Sequence, residues 1–208
     1  MRIQSPFEEK LNSITHALGA LFGVVALVLL LTHNTNKTDS SLFSVILYGL
    51  SIVILFLAST LYHAVKQERY KHYFRIADHI SIYFLIAGTY TPVCLISLDE
   101  SLGWVLFFIV WGIAAFGVIL KLFFTGRFEL FSTLLYLVMG WLIVFDFSNL
   151  SNQIGEQGIF WLFAGGMAYT VGIVFYAIDK IPYNHVIWHL FVLAGAVFHF
   201  LMIFNYVI

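Results

Sequence analysis

The chain has 208 residues, of which 61% are hydrophobic and only 10% charged. A soluble domain carries roughly a quarter charged residues, so the apolar surplus here must face lipid, and a cytosolic globular enzyme is excluded. The single cysteine, Cys94, cannot form an intrachain disulfide, which excludes a disulfide-stapled secreted module, and the formal net charge of −1 argues against a nucleic-acid partner.

The chain opens on a polar stretch of mixed charge that does not resemble a signal peptide. Within it, Ser5-Pro6-Phe7-Glu8 reads as a helix start, with Ser5 as N-cap, Pro6 at the first helical position and Glu8 closing a capping box. Residues 1–12 are predicted to form a short cytoplasmic or interfacial segment. Seven windows then reach the length of about 20 apolar residues that a membrane helix needs. They cover roughly 13–32, 41–64, 78–98, 103–124, 130–148, 158–178 and 185–207. Every connection is short, so residues 1–208 read as one all-α domain, a polytopic seven-transmembrane-helix bundle. In the first window Gly19-x-x-x-Gly23 permits close helix packing. In the third, Asp78 reads as an N-cap, and Pro92 should kink the helix or mark a break. In the fifth, Asp146 is expected to reach water at the outer end.

The basic residues fix a predicted orientation. With the N-terminus cytoplasmic, Arg2, Lys10, Lys66, Arg69, Lys71, Arg75, Lys121, Arg127 and Lys180 fall on that side, and only Lys37 on the other. The C-terminus is then outside.

Polar residues inside membrane spans are the informative ones. This orientation brings Ser59 and His63 to the cytoplasmic end of the second span, Asp78 to the start of the third, and His185 and His189 to the first two turns of the seventh. His16 lies at the inner end of the first. Residues at i and i+4 share one helix face, about 5–6 Å apart, so His185 and His189 can reach one metal ion. With His63 they make three nitrogen ligands, the pattern of a catalytic zinc site with an open position. Ser59 lies one turn from His63 and can hydrogen-bond a ligand or bound water. A carboxylate such as Asp78 beside zinc-bound water is the usual group for taking its proton. His79 points about 100° away from Asp78 on its helix and is expected at an interface. His199, about 15 Å of helix beyond His189, is too deep to ligate the same ion. His16 is left between a supporting role and an interfacial one.

These residues sit in longer strings: Glu9-Lys10-Leu11-Asn12-Ser13-Ile14-Thr15-His16 near the start, Ser59-Thr60-Leu61-Tyr62-His63, Asp78-His79-Ile80-Ser81-Ile82-Tyr83, and His185-Val186-Ile187-Trp188-His189. Over its whole length the chain resembles the bacterial hemolysin III family, within the progestin and adipoQ receptor superfamily. The resemblance implies seven helices with the N-terminus inside, and one zinc held near the cytoplasmic side by His63, His185 and His189. It also implies that Ser59 and Asp78 serve the site, with Asp78 holding the zinc-bound water. Adiponectin-receptor relatives and the more distant alkaline ceramidases resemble intramembrane hydrolases of lipid amides. The expected function is therefore a zinc-dependent intramembrane hydrolase acting on a lipid amide or ester, with a membrane lipid or fatty-acyl substrate, in the cell membrane.

Four rivals stand beside it. A proton or ion transporter would use buried His and Asp as relay residues and needs no stoichiometric metal. A retinal photoreceptor needs a lysine in the last span, and residues 185–208 have none. A membrane-lipid sensor or regulator would use zinc only to hold helices together. A hemolysin-type cytolytic protein is the reading the family's name suggests, although the chain has no long amphipathic secreted segment.

Overall fold

The computed structural model describes residues 4–208, which form helices joined by short turns, with no strand among them. Arg2, counted above in the charge bias, lies outside the described residues. The α-helices are α1 (Pro6–His33), α2 (Ser41–Ala64), α3 (Glu68–Pro92), α4 (Gly103–Phe124), α5 (Glu129–Trp141), α6 (Phe147–Ala177) and α7 (Asn184–Met202). Short π-helical turns extend α3 through Ser97 and α7 through Val207, and a 3₁₀ turn over Leu142–Asp146 joins α5 to α6.

Six helical stretches are long and apolar enough to cross a membrane: Pro6–His33, Ser41–Ala64, Glu68–Ser97, Gly103–Phe124, Glu129–Ala177 and Asn184–Val207. The chain is a polytopic membrane protein. The fifth stretch is 49 residues long and covers two of the windows read from the sequence. Its helical run is broken at Gly155, where φ is +65° and ψ is −179°. Glycine has no Cβ to oppose that backbone conformation.

α1 starts as its sequence predicts. The Ser5 hydroxyl accepts from the Glu8 N–H, and the Glu8 carboxylate accepts from the Ser5 N–H at 2.9 Å. No break separates this start from the first span, so residues 6–12 are the first turns of a membrane helix and not a separate interfacial one. The buried positions of α1 are Glu8, Asn12, His16, Gly19, Gly23, Ala26 and Leu30, a stripe at helical spacing. Gly19 and Gly23 let α2 approach. A Cβ on Gly19 would fall 2.4 Å from the Phe56 ring, and one on Gly23 3.0 Å from Ile52.

α3 begins at Glu68, ten residues before the predicted span. Residues 68–77 fall outside the predicted span because hydropathy marks only the part of a helix that lies in lipid. These residues hold no Pro or Gly and continue the helix, so Asp78 sits in its third turn and is not an N-cap. Pro92 ends the regular helix and the chain passes into the π-helical turn.

α1 packs on α2, α2 on α3, α6 on α7, and α7 on α1, an arc that runs from α3 through α2, α1 and α7 to α6. α4 lies against α3, and α5 touches α3, α4 and α6 only sparsely. The core between them holds Tyr48, Ile52, Phe56, Tyr83 and Met202. At the end remote from His63, Lys37 donates to the Val207 carbonyl at 2.9 Å and Thr38 to the Leu95 carbonyl at 2.9 Å. Asp146 is also at work here. It is buried and accepts from the Ser101 hydroxyl (2.6 Å), the Leu102 N–H (2.9 Å) and the Asn149 amide (2.7 Å). The expectation that it reaches water fails because it gathers the orphan donors at the start of α4.

Candidate metal centre

The last turn of α2 carries His63, and the first turns of α7 carry His185 and, one turn on, His189. Each offers one ring nitrogen, and the three nitrogens lie within 4.8 Å of one another. The ring centroids are 5.2 Å apart for His63 and His185, 4.9 Å for His63 and His189, and 4.5 Å for the helical pair. His63 Nε2, His185 Nε2 and His189 Nδ1 are all buried without a hydrogen-bond partner. Buried polar atoms are rarely left so. A cation accepting three lone pairs would satisfy all of them at once, and imidazole nitrogen is a preferred ligand of zinc. The donor set therefore fits a metal ion.

Asp78 on α3 and Ser59, one turn before His63 on α2, are buried and line the same cavity as His185 and His189. The Ser59 hydroxyl sits beside the Asp78 carboxyl without a hydrogen bond of normal geometry. The cavity is partly open to the surroundings. Its polar end holds His16, Ser59, Asp78, His185 and His189. It continues past apolar Ile86, Trp141 and Val192 to His199. His189 and His199 are about 15 Å apart along α7, so the cavity is long enough for an extended chain to lie in it.

The five residues singled out in the sequence thus come together. His16 joins them: it is buried, and its ring stacks on that of His189. His199 does not. Its Nε2 meets the Leu162 carbonyl at 3.2 Å, deep in the bundle. His79 faces a charged cluster, with Nδ1 3.8 Å from Glu129. In that cluster Lys121 is fully buried and donates to Glu129 at 2.8 Å, and Arg75 lies 3.5 Å from the same carboxylate. Lys121, counted above among the cytoplasmic-side charges, is carried by α4 inward to this partner.

Sequence reasoning missed one residue at the centre. Glu9, in the first turn of α1, accepts from His63 Nδ1 at 2.6 Å and from Lys71 Nζ at 2.9 Å. The neighbouring Glu8 turns back to cap the helix, and the adjacent pair gave no sign of which glutamate would cross to α2.

Residues 4–200 match the sequence model of the family described as Haemolysin-III related. The chain belongs to the hemolysin III family. This hemolysin III protein is 44% identical over 202 residues to Hemolysin-3 of Bacillus cereus, covering 97% of this chain and 92% of that one. It is 42% identical over 200 residues to the Hemolysin-3 homolog of Bacillus subtilis (strain 168), covering 96% and 94%. It is 30% identical over 206 residues to the Monocyte to macrophage differentiation factor of Homo sapiens, covering 96% and 84%. With its apolar helices, this makes it a multi-pass bacterial cell-membrane protein. His16, Ser59, His63, Asp78, His185 and His189 all fall within the matched residues.

Proposed function

We propose that this hemolysin III protein is a zinc-dependent intramembrane hydrolase of a lipid amide or ester. The reading is carried by one observation: three buried, unpartnered imidazole nitrogens lie within 4.8 Å of one another, and two of their histidines line a long apolar cavity together with the buried carboxyl of Asp78. His63, His185 and His189 would hold the metal. A bound zinc ion supplies Lewis acidity and a supply of hydroxide near neutral pH.

The protein's own groups do the rest. Asp78 accepts a proton from water at its carboxylate and returns it to the leaving amine or alcohol. Ser59 donates its hydroxyl hydrogen to the oxygen that gains charge. The apolar cavity wall holds the acyl chain and keeps bulk water from the reacting carbonyl.

The same reading includes seven crossings. A straight helix of 49 residues would be about 74 Å long, against a hydrocarbon core of about 30 Å, so Glu129–Ala177 crosses twice and turns back near Gly155. The N-terminus is then cytoplasmic and the C-terminus outside, which the bias of Lys and Arg supports, and the metal centre lies near the cytoplasmic face.

A second reading has an observation of its own. The three nitrogens come from α2 and α7, so a metal there would clamp the two helices and could serve a membrane-lipid sensor without chemistry.

The test is to purify the protein, measure zinc stoichiometry by mass spectrometry, and assay fatty-acid release from a panel of lipid amides and esters. One zinc per chain with turnover of at least one lipid is expected. A zinc-replete protein inert on the whole panel would sink the hydrolase and leave the clamp.

A further inference from the structure

The contact between Glu9 and His63 has no counterpart in the roles assigned so far. The pair is short, 2.6 Å, and the His63 side chain is only 2% exposed. The other carboxylate oxygen of Glu9 holds Lys71 Nζ at 2.9 Å. Lys71 lies in turn 5.0 Å from the centre of the Tyr62 ring, next to His63 in sequence. Three elements meet here: the first turn of α1, the last turn of α2 and the first turn of α3.

Chemistry gives this contact a direction. A neutral imidazole carries its proton on one nitrogen and a lone pair on the other, and only the lone pair can bind a metal. An ionised carboxylate can only accept. Against Glu9, His63 must therefore keep its proton on Nδ1. Nε2 is left with the lone pair, and Nε2 is a buried atom without a partner, on the histidine whose one ring nitrogen lies within 4.8 Å of those of His185 and His189. Left alone, the ring could take the other tautomer or turn over, and either would withdraw a ligand.

A surface ion pair between Glu9 and Lys71 would by itself be worth little. A carboxylate on the far nitrogen of a ligating histidine is different: it orients the ring and raises its basicity. The capping box explains how α1 supplies it. Ser5 and Glu8 fix the helix start, and the next residue is Glu9.

We propose that Glu9 is a positioning residue of the metal centre, setting the His63 tautomer and ring orientation, with Lys71 holding the carboxylate in place. This rests on the reading of the three histidines as metal ligands, and the experiment separates the two.

Full-length protein would be prepared as wild type, Glu9→Gln, Glu9→Asp and Lys71→Met. Zinc affinity is measured by chelator competition, the ligand field by the visible spectrum of the cobalt-substituted protein, and stability by melting of the metal-free form. Glu9→Gln is expected to lose about 10–100-fold in zinc affinity and to shift the cobalt bands, with the metal-free melting temperature unchanged. Glu9→Asp should recover part of the affinity, and Lys71→Met should lose less than Glu9→Gln. Wild-type affinity and spectrum in Glu9→Gln would overturn the proposal and leave the metal centre standing. Equal losses in Glu9→Gln and Glu9→Asp with a lowered metal-free melting temperature would mark a structural contact and overturn it too. Wild type that takes up no zinc would overturn the metal reading itself. Histidine ¹⁵N NMR of the wild type needs no variant: His63 is expected with its proton on Nδ1, and a proton on Nε2 overturns the proposal.

Discussion

The His16 imidazole lies flat on that of His189, with ring centroids 3.6 Å apart and planes 12° from parallel. Both His16 nitrogens are buried and have no hydrogen-bond partner. The stack holds the His189 ring from the side of α1, so the third ligand depends on a helix that supplies none of the three. His16→Phe keeps an aromatic face and should retain zinc. His16→Ala removes it, and a loss of about tenfold in zinc affinity is expected, within the range seen for groups that orient ligands. Chelator competition on both variants checks this, and equal affinities would show that the stack does not matter.

His63→Ala and Asp78→Asn separate chemistry from clamping. His63→Ala should abolish stoichiometric zinc. Asp78→Asn should keep zinc and lose about 10²–10⁴-fold in lipid hydrolysis, the usual worth of a general base. Unchanged function in Asp78→Asn, with function lost in His63→Ala, is the sensor's signature.

Glu129 and Lys121 form the other demanding pair. Lys121 is fully buried and bonds Glu129 at 2.8 Å. Glu129→Gln leaves that ammonium without its counter-charge, at an expected cost of about 1.5–3 kcal/mol, the worth of a hydrogen bond to a charged group. Glu129→Leu with Lys121→Met should recover most of it, because removing both charges removes the desolvation penalty. Thermal melting in detergent gives both values.

Two glycines should respond in opposite directions. A Cβ on Gly103 would fall 2.1 Å from the Cys94 carbonyl oxygen and 2.4 Å from that of Leu98. Backbone cannot swing aside, so Gly103→Ala is expected to cost about 1–3 kcal/mol, as overpacking does. Gly112 in α4 meets nothing within 4 Å, and Gly112→Ala should stabilise by about 0.4–1 kcal/mol. The same melting experiment decides both.

Membrane sidedness can be read with an impermeant maleimide. Cys94 is fully buried, so the native chain should stay unlabelled. Thr35→Cys and Glu156→Cys should label on intact cells, and Lys180→Cys only after permeabilisation. Glu156→Cys and Lys180→Cys labelling from the same side would contradict two crossings by Glu129–Ala177.

The centre was legible where polarity is rare. In an apolar span a His, Ser or Asp stands out, and helical spacing places His185 over His189, so Ser59, His63, Asp78, His185 and His189 were all found. Near the helix ends the signal fades. Glu9, Lys71 and Lys121 look like ordinary interfacial charges there, and pairing across helices is not encoded by any local spacing. The start of α3 was missed for a related reason, since hydropathy sees lipid contact and not backbone conformation. Asp146 was misjudged because nothing near it in sequence shows that Ser101 and Leu102 would come to it.

The buried stripe of α1 runs Glu8, Asn12, His16, Gly19, Gly23, Ala26, Leu30, while Leu18, Leu21 and Val25 point outward. This helix is inverted relative to one in water: its greasy side is its solvent side. Drift among Leu, Val, Ile and Phe on that outer face should therefore be nearly free. The information in the helix is concentrated in seven mostly small or polar letters that a hydrophobicity plot would discount as noise.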